Sequence, residues 1–204
     1  MKMHPRKLIL DLCGGTGSWS KPYADAGYTV VIVDPMVWDT LPPSNVFHIR
    51  KDIRQLNYDD LAAFAPSCGV QGVLAAPPCT VFANSGARWP RTEAEMLEGI
   101  SVMDACMRII GLVKPNWWAL ENPIGKMKRY LGPPKMYFNP CDYGDPYTKK
   151  TCLWGLFTEP KKTPVPATLG SFMHTSYGGK SAATKRARSA TPAGFARAFY
   201  ESNQ

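Results

Sequence analysis

The sequence predicts an α/β fold: a mainly parallel sheet with helices on both faces. Three observations carry that prediction. Short apolar runs alternate with helix-compatible stretches as far as Pro123, the pattern of βαβ units. The runs are continuous rather than alternating, as strands covered on both faces should be. Each run ends in acids, glycines or prolines, where an open α/β sheet presents its ligand crevice.

Taken in order, residues 7–12 form the first strand, followed by Cys13-Gly14-Gly15-Thr16-Gly17. A helix through Trp19, Tyr23 and Ala26 stops at Gly27, the usual C-terminal punctuation. Residues 28–33 form the second strand, ending at Asp34-Pro35. A third unit covers 47–54, with a helix over 58–65. Residues 70–76 read as a buried strand broken by Pro77-Pro78. The clearest helix covers 93–113, where Met96, Ile100, Met103, Met107 and Ile110 recur every three or four residues and acids crowd the first turn. Pro115 ends it, and residues 116–120 read as a strand running into Glu121-Asn122-Pro123. Beyond Lys126 the helical period fades. One strand is expected over 151–157, loop over 161–189, and a final amphipathic helix over 192–201 with Thr191 as its cap.

The composition narrows the function class. The 204 residues suit one compact catalytic domain spanning 1–204, and 45% apolar content is too high for a disordered chain. No run approaches the roughly 18 apolar residues of a membrane span, and residues 1–7 do not read as a secretory signal. The six cysteines are scattered, without zinc-knuckle spacing. No metal site is expected, and reduced thiols in a cytoplasmic compartment are the natural reading. The net charge of +8 is concentrated: residues 126–188 hold 12 Lys and Arg against three acids, and the rest of the chain nets −1. A polyanion partner on that segment is the expectation.

The chemistry-bearing residues fall at strand ends. The Asp11 to Gly17 turn lets backbone approach a ligand closely. Asp34 is placed for a ribose diol and Asp52 for an exocyclic amine, which suits a nucleoside cofactor. Cys79, held by two prolines just past a strand, reads as a nucleophile. Glu121, at the next strand end, reads as an acid or hydrogen-bond donor once burial raises its pKa.

The ordered set Asp11-Leu-Cys-Gly-Gly-Thr-Gly, Asp34, Asp52-Ile53, Pro78-Cys79-x-x-Phe82, Glu121-Asn122 and Thr191-Pro192 resembles the cytosine-C5 DNA methyltransferases, over residues 8–200. The resemblance implies a Rossmann-like S-adenosylmethionine-dependent methyltransferase fold, with DNA as partner, duplex ahead of single-stranded. It implies no membrane and a cytoplasmic setting in a prokaryote or phage-infected host. It assigns catalysis to Cys79, Glu121 and Lys149. It assigns the cofactor to Asp11, Cys13, Gly15, Thr16, Gly17, Ser18, Trp19, Asp34, Pro35, Asp52, Ile53 and Pro77. It assigns substrate contacts to Pro78, Ser85, Arg88, Arg91, Asn122, Lys185, Arg186 and Arg188.

Four departures stand out. Cys13 replaces the family's usual phenylalanine, Ser18 a common glycine, and Pro123 a usual valine. Residues 143–151 resemble a degenerate Gln-x-Arg-x-Arg element, with Tyr147, Lys149 and Thr151 at its three positions. Where the family carries a separate target-recognition domain, residues 156–190 offer only a short basic loop region, too small for a core of its own. An enzyme acting on RNA or single-stranded DNA, a non-catalytic binder on the same fold and a nicotinamide oxidoreductase all stay open, as do monomer and homodimer.

Overall fold

The structure is a computed structural model, and it describes residues 7–36, 42–64, 69–84, 89–176 and 181–204. Its centre is a seven-stranded sheet: β1 (Leu8–Leu12), β2 (Thr29–Val33), β3 (Val46–Ile49), β4 (Val70–Ala75), β5 (Trp117–Pro123), β6 (Met136–Phe138) and β7 (Thr151–Leu156). The strand order is β3-β2-β1-β4-β5-β7-β6. Strands β1 to β5 pair in parallel, and β7 runs antiparallel to both its neighbours. The expected mainly parallel α/β sheet is therefore present, closed by one reversed strand. Its order reverses direction at β1, with β2 on one side and β4 on the other, so a crevice opens beyond the carboxyl ends of these strands.

Period-two alternation sends the sheet's side chains to two cores. On one face Leu8, Leu10, Leu12, Val31, Val33, Val73, Ala75 and Leu120 pack against α3 (Glu93–Val113) and α2 (Tyr58–Ala62), through Met103, Cys106, Ile109, Ile110 and Leu61. On the other face Ile9, Val30, Ile32, Leu74, Ala119 and Leu153 meet α1 (Lys21–Asp25) and α7 (Ala193–Ser202), through Tyr23, Phe195 and Phe199. Phe195 stacks on Phe138 with centroids 3.8 Å apart. Each such buried side chain contributes roughly 1.5–3 kcal/mol.

Helix α3 starts at a capping box, with Thr92 and Glu95 satisfying each other's backbone amides. Its buried stripe is Met103, Ala105, Cys106, Ile109 and Ile110, while Met96, Ile100 and Met107 are half-buried. Lys114 ends it in the left-handed region at φ 45°, since the residue before a proline is driven out of helical space.

Several boundaries differ from the sequence expectation. β3 stops at Ile49, so Asp52 does not end a strand; it caps the 3-10 turn Ile53–Gln55 instead. Thr191 does not cap α7, whose N-cap is Pro192 with no side-chain bond. The short strand β6 carries no periodic signal in three residues. Two helices stand where loop was expected, α5 (Phe172–Thr175) and α6 (Ala182–Ser189), after the short α4 (Lys128–Leu131) further up the chain. Helix α6 escapes a search for apolar periodicity because its sequence, AATKRARS, has good helix formers and no apolar stripe. The preceding segment is laced to 141–148 by backbone bonds, Thr163 and Val165 donating to Asp142 and Cys141. Among the described residues no helix is long and apolar enough to cross a membrane.

Candidate active site

The first wall of the crevice is the turn after β1. Asp11 is buried, and its Oδ2 accepts a 2.5 Å hydrogen bond from Ser20. Its Oδ1 has no partner among the described residues. Burial pushes this carboxyl up to about 7, against the lowering effect of the Ser20 bond. Gly14 lies directly over it: a β-carbon there would fall 2.4 Å from Asp11 Cγ, so only glycine fits. Gly15 and Gly17 follow with positive φ, at 46° and 65°.

Asp34 faces this turn from the end of β2. Its Oδ2 accepts from Gly15 N at 3.1 Å and its Oδ1 from Met36 N at 2.8 Å. Burial raises its pKa, and the two backbone bonds oppose that rise. The carboxylate remains partly exposed beside exposed Pro35 and Met36, so each oxygen keeps a lone-pair direction for a ligand hydroxyl. Thr16 donates its hydroxyl to Ser18 Oγ at 3.0 Å, and Thr191 N donates to the same Ser18 oxygen at 2.7 Å. Thr191 thus ties the start of the C-terminal helix to the glycine turn rather than capping α7.

The side chains of three residues expected at the cofactor are engaged elsewhere. The Trp19 ring is buried against Phe195 and Phe199, because α7 needs an apolar partner at that position. Ile53 is buried in the core under α3. Asp52 gives both oxygens to Arg54, which also pairs with Glu98 on α3, and this pairing holds its pKa below the usual range.

The second wall carries the thiol. After β4, Pro77 is buried, Pro78 exposed and Cys79 partly exposed. The Cys79 carbonyl accepts from Phe82 N and Ala83 N, curling the chain into one helical turn. Burial pushes the Cys79 thiol up, and the neighbouring Glu121 carboxylate adds to that. The Lys149 and Arg188 cations pull it down. Glu121, on β5 beside β4, is raised by burial and lowered by Lys149. Lys149 Nζ also donates to the Arg188 carbonyl at 3.1 Å, docking the end of α6 beside the thiol. The structure thus brings Cys79, Glu121, Lys149 and Arg188 into one electrostatic group.

Two residues expected at the substrate hold the crevice walls together. Asn122 is fully buried, and its amide donates to the Pro77 carbonyl at 2.9 Å. It holds the proline turn to β5 rather than facing the crevice. Arg91 donates to the Thr80 carbonyl and pairs with Glu95 at 3.5 Å, so it fastens the Cys79 turn to the first turn of α3. Ser85 and Arg88 lie outside the described residues. Lys185 and Arg186 lie on α6; the side chain of Lys185 is outside what is described. Sequence reasoning missed Gly125, where a β-carbon would fall 1.9 Å from the Phe82 carbonyl oxygen. It also missed Cys106, whose Sγ lies 3.9 Å from Cys13 Sγ. A lone glycine after a strand and a cysteine inside a helical stripe give no sequence signal for such contacts. A separate cleft of about 340 Å³ between α3, β5 and β7, lined by Met107, Trp118, Leu131 and Trp154, shares no residue with the crevice.

The type II methyltransferase M.DdeI of Desulfomicrobium norvegicum is 25% identical over 166 residues, which is 70% of this chain and 38% of that protein. The chain is homologous to a type II methyltransferase. It spans about two fifths of that relative's length. Among solved structures, a protein assigned as a prophage-encoded DNA modification methyltransferase from E. coli superposes with a TM-score of 0.55 at 18% identity. That match covers 78% of this chain and 52% of the other, and it shows a shared α/β fold. No protein-family model matches the chain.

Proposed function

We propose that the chain transfers a methyl group from S-adenosylmethionine to C5 of cytosine in DNA, through a covalent bond between Cys79 and C6 of the ring. The observation that carries this reading is the meeting of Cys79, just past β4, and Glu121, on neighbouring β5, with Lys149 before β7 and Arg188 on α6. It lies on the same sheet edge as the glycine turn and Asp34, and the homology to a type II methyltransferase supports it.

The residues present fit the cofactor. The tight turn over buried Asp11, with Gly14 packed on its carboxyl and Gly15 and Gly17 at positive φ, presents backbone rather than side chains beside Asp34. Asp34, held by Gly15 N and Met36 N, takes the ribose hydroxyls. The cofactor supplies the electrophilic methyl group. The chain's own residues make the cytosine ready to take it. C5 of cytosine is a poor nucleophile until addition at C6 turns the ring into an enamine.

Cys79, as thiolate, adds to C6. Glu121, whose pKa burial raises, takes up a proton as the cytosine enters, hydrogen-bonds N3 and offsets the charge that builds there. A protonated Glu121 has a second effect: it no longer opposes ionisation of Cys79, so one proton position serves both partners. Lys149 stabilises the thiolate. The cytosine must leave the base stack to reach the group, and the cations of residues 126–188 hold the phosphates.

DNA containing 5-fluorocytosine tests this reading, because loss of the C5 proton is blocked and the adduct persists. Duplex, single-stranded and transfer-RNA substrates, each carrying the fluorinated base, are incubated with S-adenosylmethionine. A cysteine-linked adduct on DNA with wild type and none with Cys79→Ser is the expected result. A wild-type protein that binds S-adenosylhomocysteine and DNA yet forms no adduct overturns it.

A further inference from the structure

Among the described residues, Cys13 and Cys106 alone bring two sulfurs within hydrogen-bonding distance, with Sγ to Sγ at 3.9 Å. Cys13 stands in the turn between β1 and α1, partly exposed. Cys106 is fully buried in the middle of α3. The two elements differ in stiffness. Helix α3 has 21 residues, a capping box and a buried face along its second half. Cys13 is a non-glycine residue at φ 55°, a conformation that an L side chain occupies at a cost.

We propose that Cys13 and Cys106 form an oxidation site, which hydrogen peroxide converts to a disulfide that displaces the glycine turn from the cofactor crevice. The chemistry balances in two steps. The Cys13 sulfur, after giving its proton to solvent, attacks one peroxide oxygen to form a sulfenic acid, and the displaced hydroxide takes up a proton to leave as one water. Cys106 then attacks the Cys13 sulfur and displaces the hydroxyl as a second water. Two thiols lose two hydrogens and two electrons, and the peroxide O–O bond takes them.

The geometric consequence follows from bond lengths. A disulfide needs the sulfurs at about 2 Å, so one side must move. The helix is held at both ends and along its length, so the turn moves toward it. That motion pulls on Cys13 N, which donates to the Val33 carbonyl at 2.8 Å, and on Gly15 N, which holds Asp34. Asp34 then loses the bond that orients it toward a ribose. The disulfide stands on the sulfur geometry alone; its effect on ligand affinity rests on the cofactor reading above.

The experiment uses the full chain carrying Cys79→Ser, which removes one partly exposed competing thiol. Protein is treated with hydrogen peroxide, digested without reductant and mapped by mass spectrometry, and S-adenosylhomocysteine affinity is measured before treatment, after it, and after dithiothreitol. The expected result is a 13–106 linked peptide lacking two hydrogens and an affinity loss of about fivefold or more, reversed by dithiothreitol. Adding Cys106→Ser, or Cys106→Val where serine costs stability, should abolish the link and leave Cys13 trappable as sulfenic acid by dimedone. Absence of the linked peptide overturns the oxidation site. A link with unchanged affinity overturns its action on the turn. Untreated protein that binds no S-adenosylhomocysteine overturns the cofactor reading instead, while the mass result still decides the disulfide.

Discussion

Glu121 and Lys149 act on the Cys79 thiol in opposite directions, the carboxylate raising its pKa and the ammonium lowering it. Alkylation by iodoacetamide across pH reads that balance, since only the thiolate reacts. Lys149→Gln should move the midpoint for Cys79 upward and slow labelling at pH 8. Glu121→Gln should move it downward, because one source of repulsion is gone. Unchanged midpoints in both variants would remove the two residues from the thiol's environment. Asp11 gives a second prediction at this scale. An unfolded aspartate ionises near 4, whereas the buried Asp11 keeps its proton up to about 7. The stability this adds is present below pH 4 and is lost as pH rises to about 7, by up to about 4 kcal/mol. Asp11→Asn should flatten that fall and exceed wild type in urea midpoint at pH 8. Parallel pH dependences in the two proteins would refute it.

At the level of elements, the thiol's position depends on three segments pressed together. The loop after β5 lies on the turn after β4: Lys126 N donates to Phe82 O at 2.7 Å, Asn84 N to Ile124 O at 3.0 Å, and Ala83 bridges Gly125. The loop before β7 joins them, the Lys150 carbonyl accepting from Ile124 N. Gly125 has no space for a β-carbon against Phe82 O. Gly125→Ala must therefore push the Cys79 turn away from β5. The expected outcome is a fall of about tenfold or more in the rate of adduct formation with fluorinated DNA, with S-adenosylhomocysteine affinity unchanged because the glycine turn lies on β1. Equal losses in both would mean that the substitution damages the whole sheet edge.

Over the whole molecule, charge and topology divide the labour. The excess of +9 on residues 126–188 includes α6, whose last carbonyls receive Lys149 and whose following residue but one, Thr191, is bonded to Ser18. One short stretch therefore touches both walls of the crevice. If this segment meets the phosphates, log affinity for DNA falls steeply with log salt, and the triple change Lys185→Gln, Arg186→Gln, Arg188→Gln should reduce the slope by up to about 3. Fluorescence anisotropy over a salt series measures it, and a slope equal to wild type would move the DNA face elsewhere.

The mainly parallel sheet, the long helix α3 and the placing of Asp34 and Cys79 just past strands were legible in the sequence, whereas Glu121 lies within β5 rather than beyond it. Continuous β-branched runs, a sustained 3.6 period and the glycine and proline punctuation are local properties, and local properties decide them. The roles of Asn122, Arg91, Trp19 and Cys106 were decided only by the tertiary structure. Asn122 and Pro77 are 45 residues apart in the chain, and Cys13 and Cys106 are 93 apart. What each side chain faces depends on which strands become neighbours and how α3 and α7 cover them. A residue's chemistry is written in its own letter, but its partner is set by packing between segments that no short window of sequence contains.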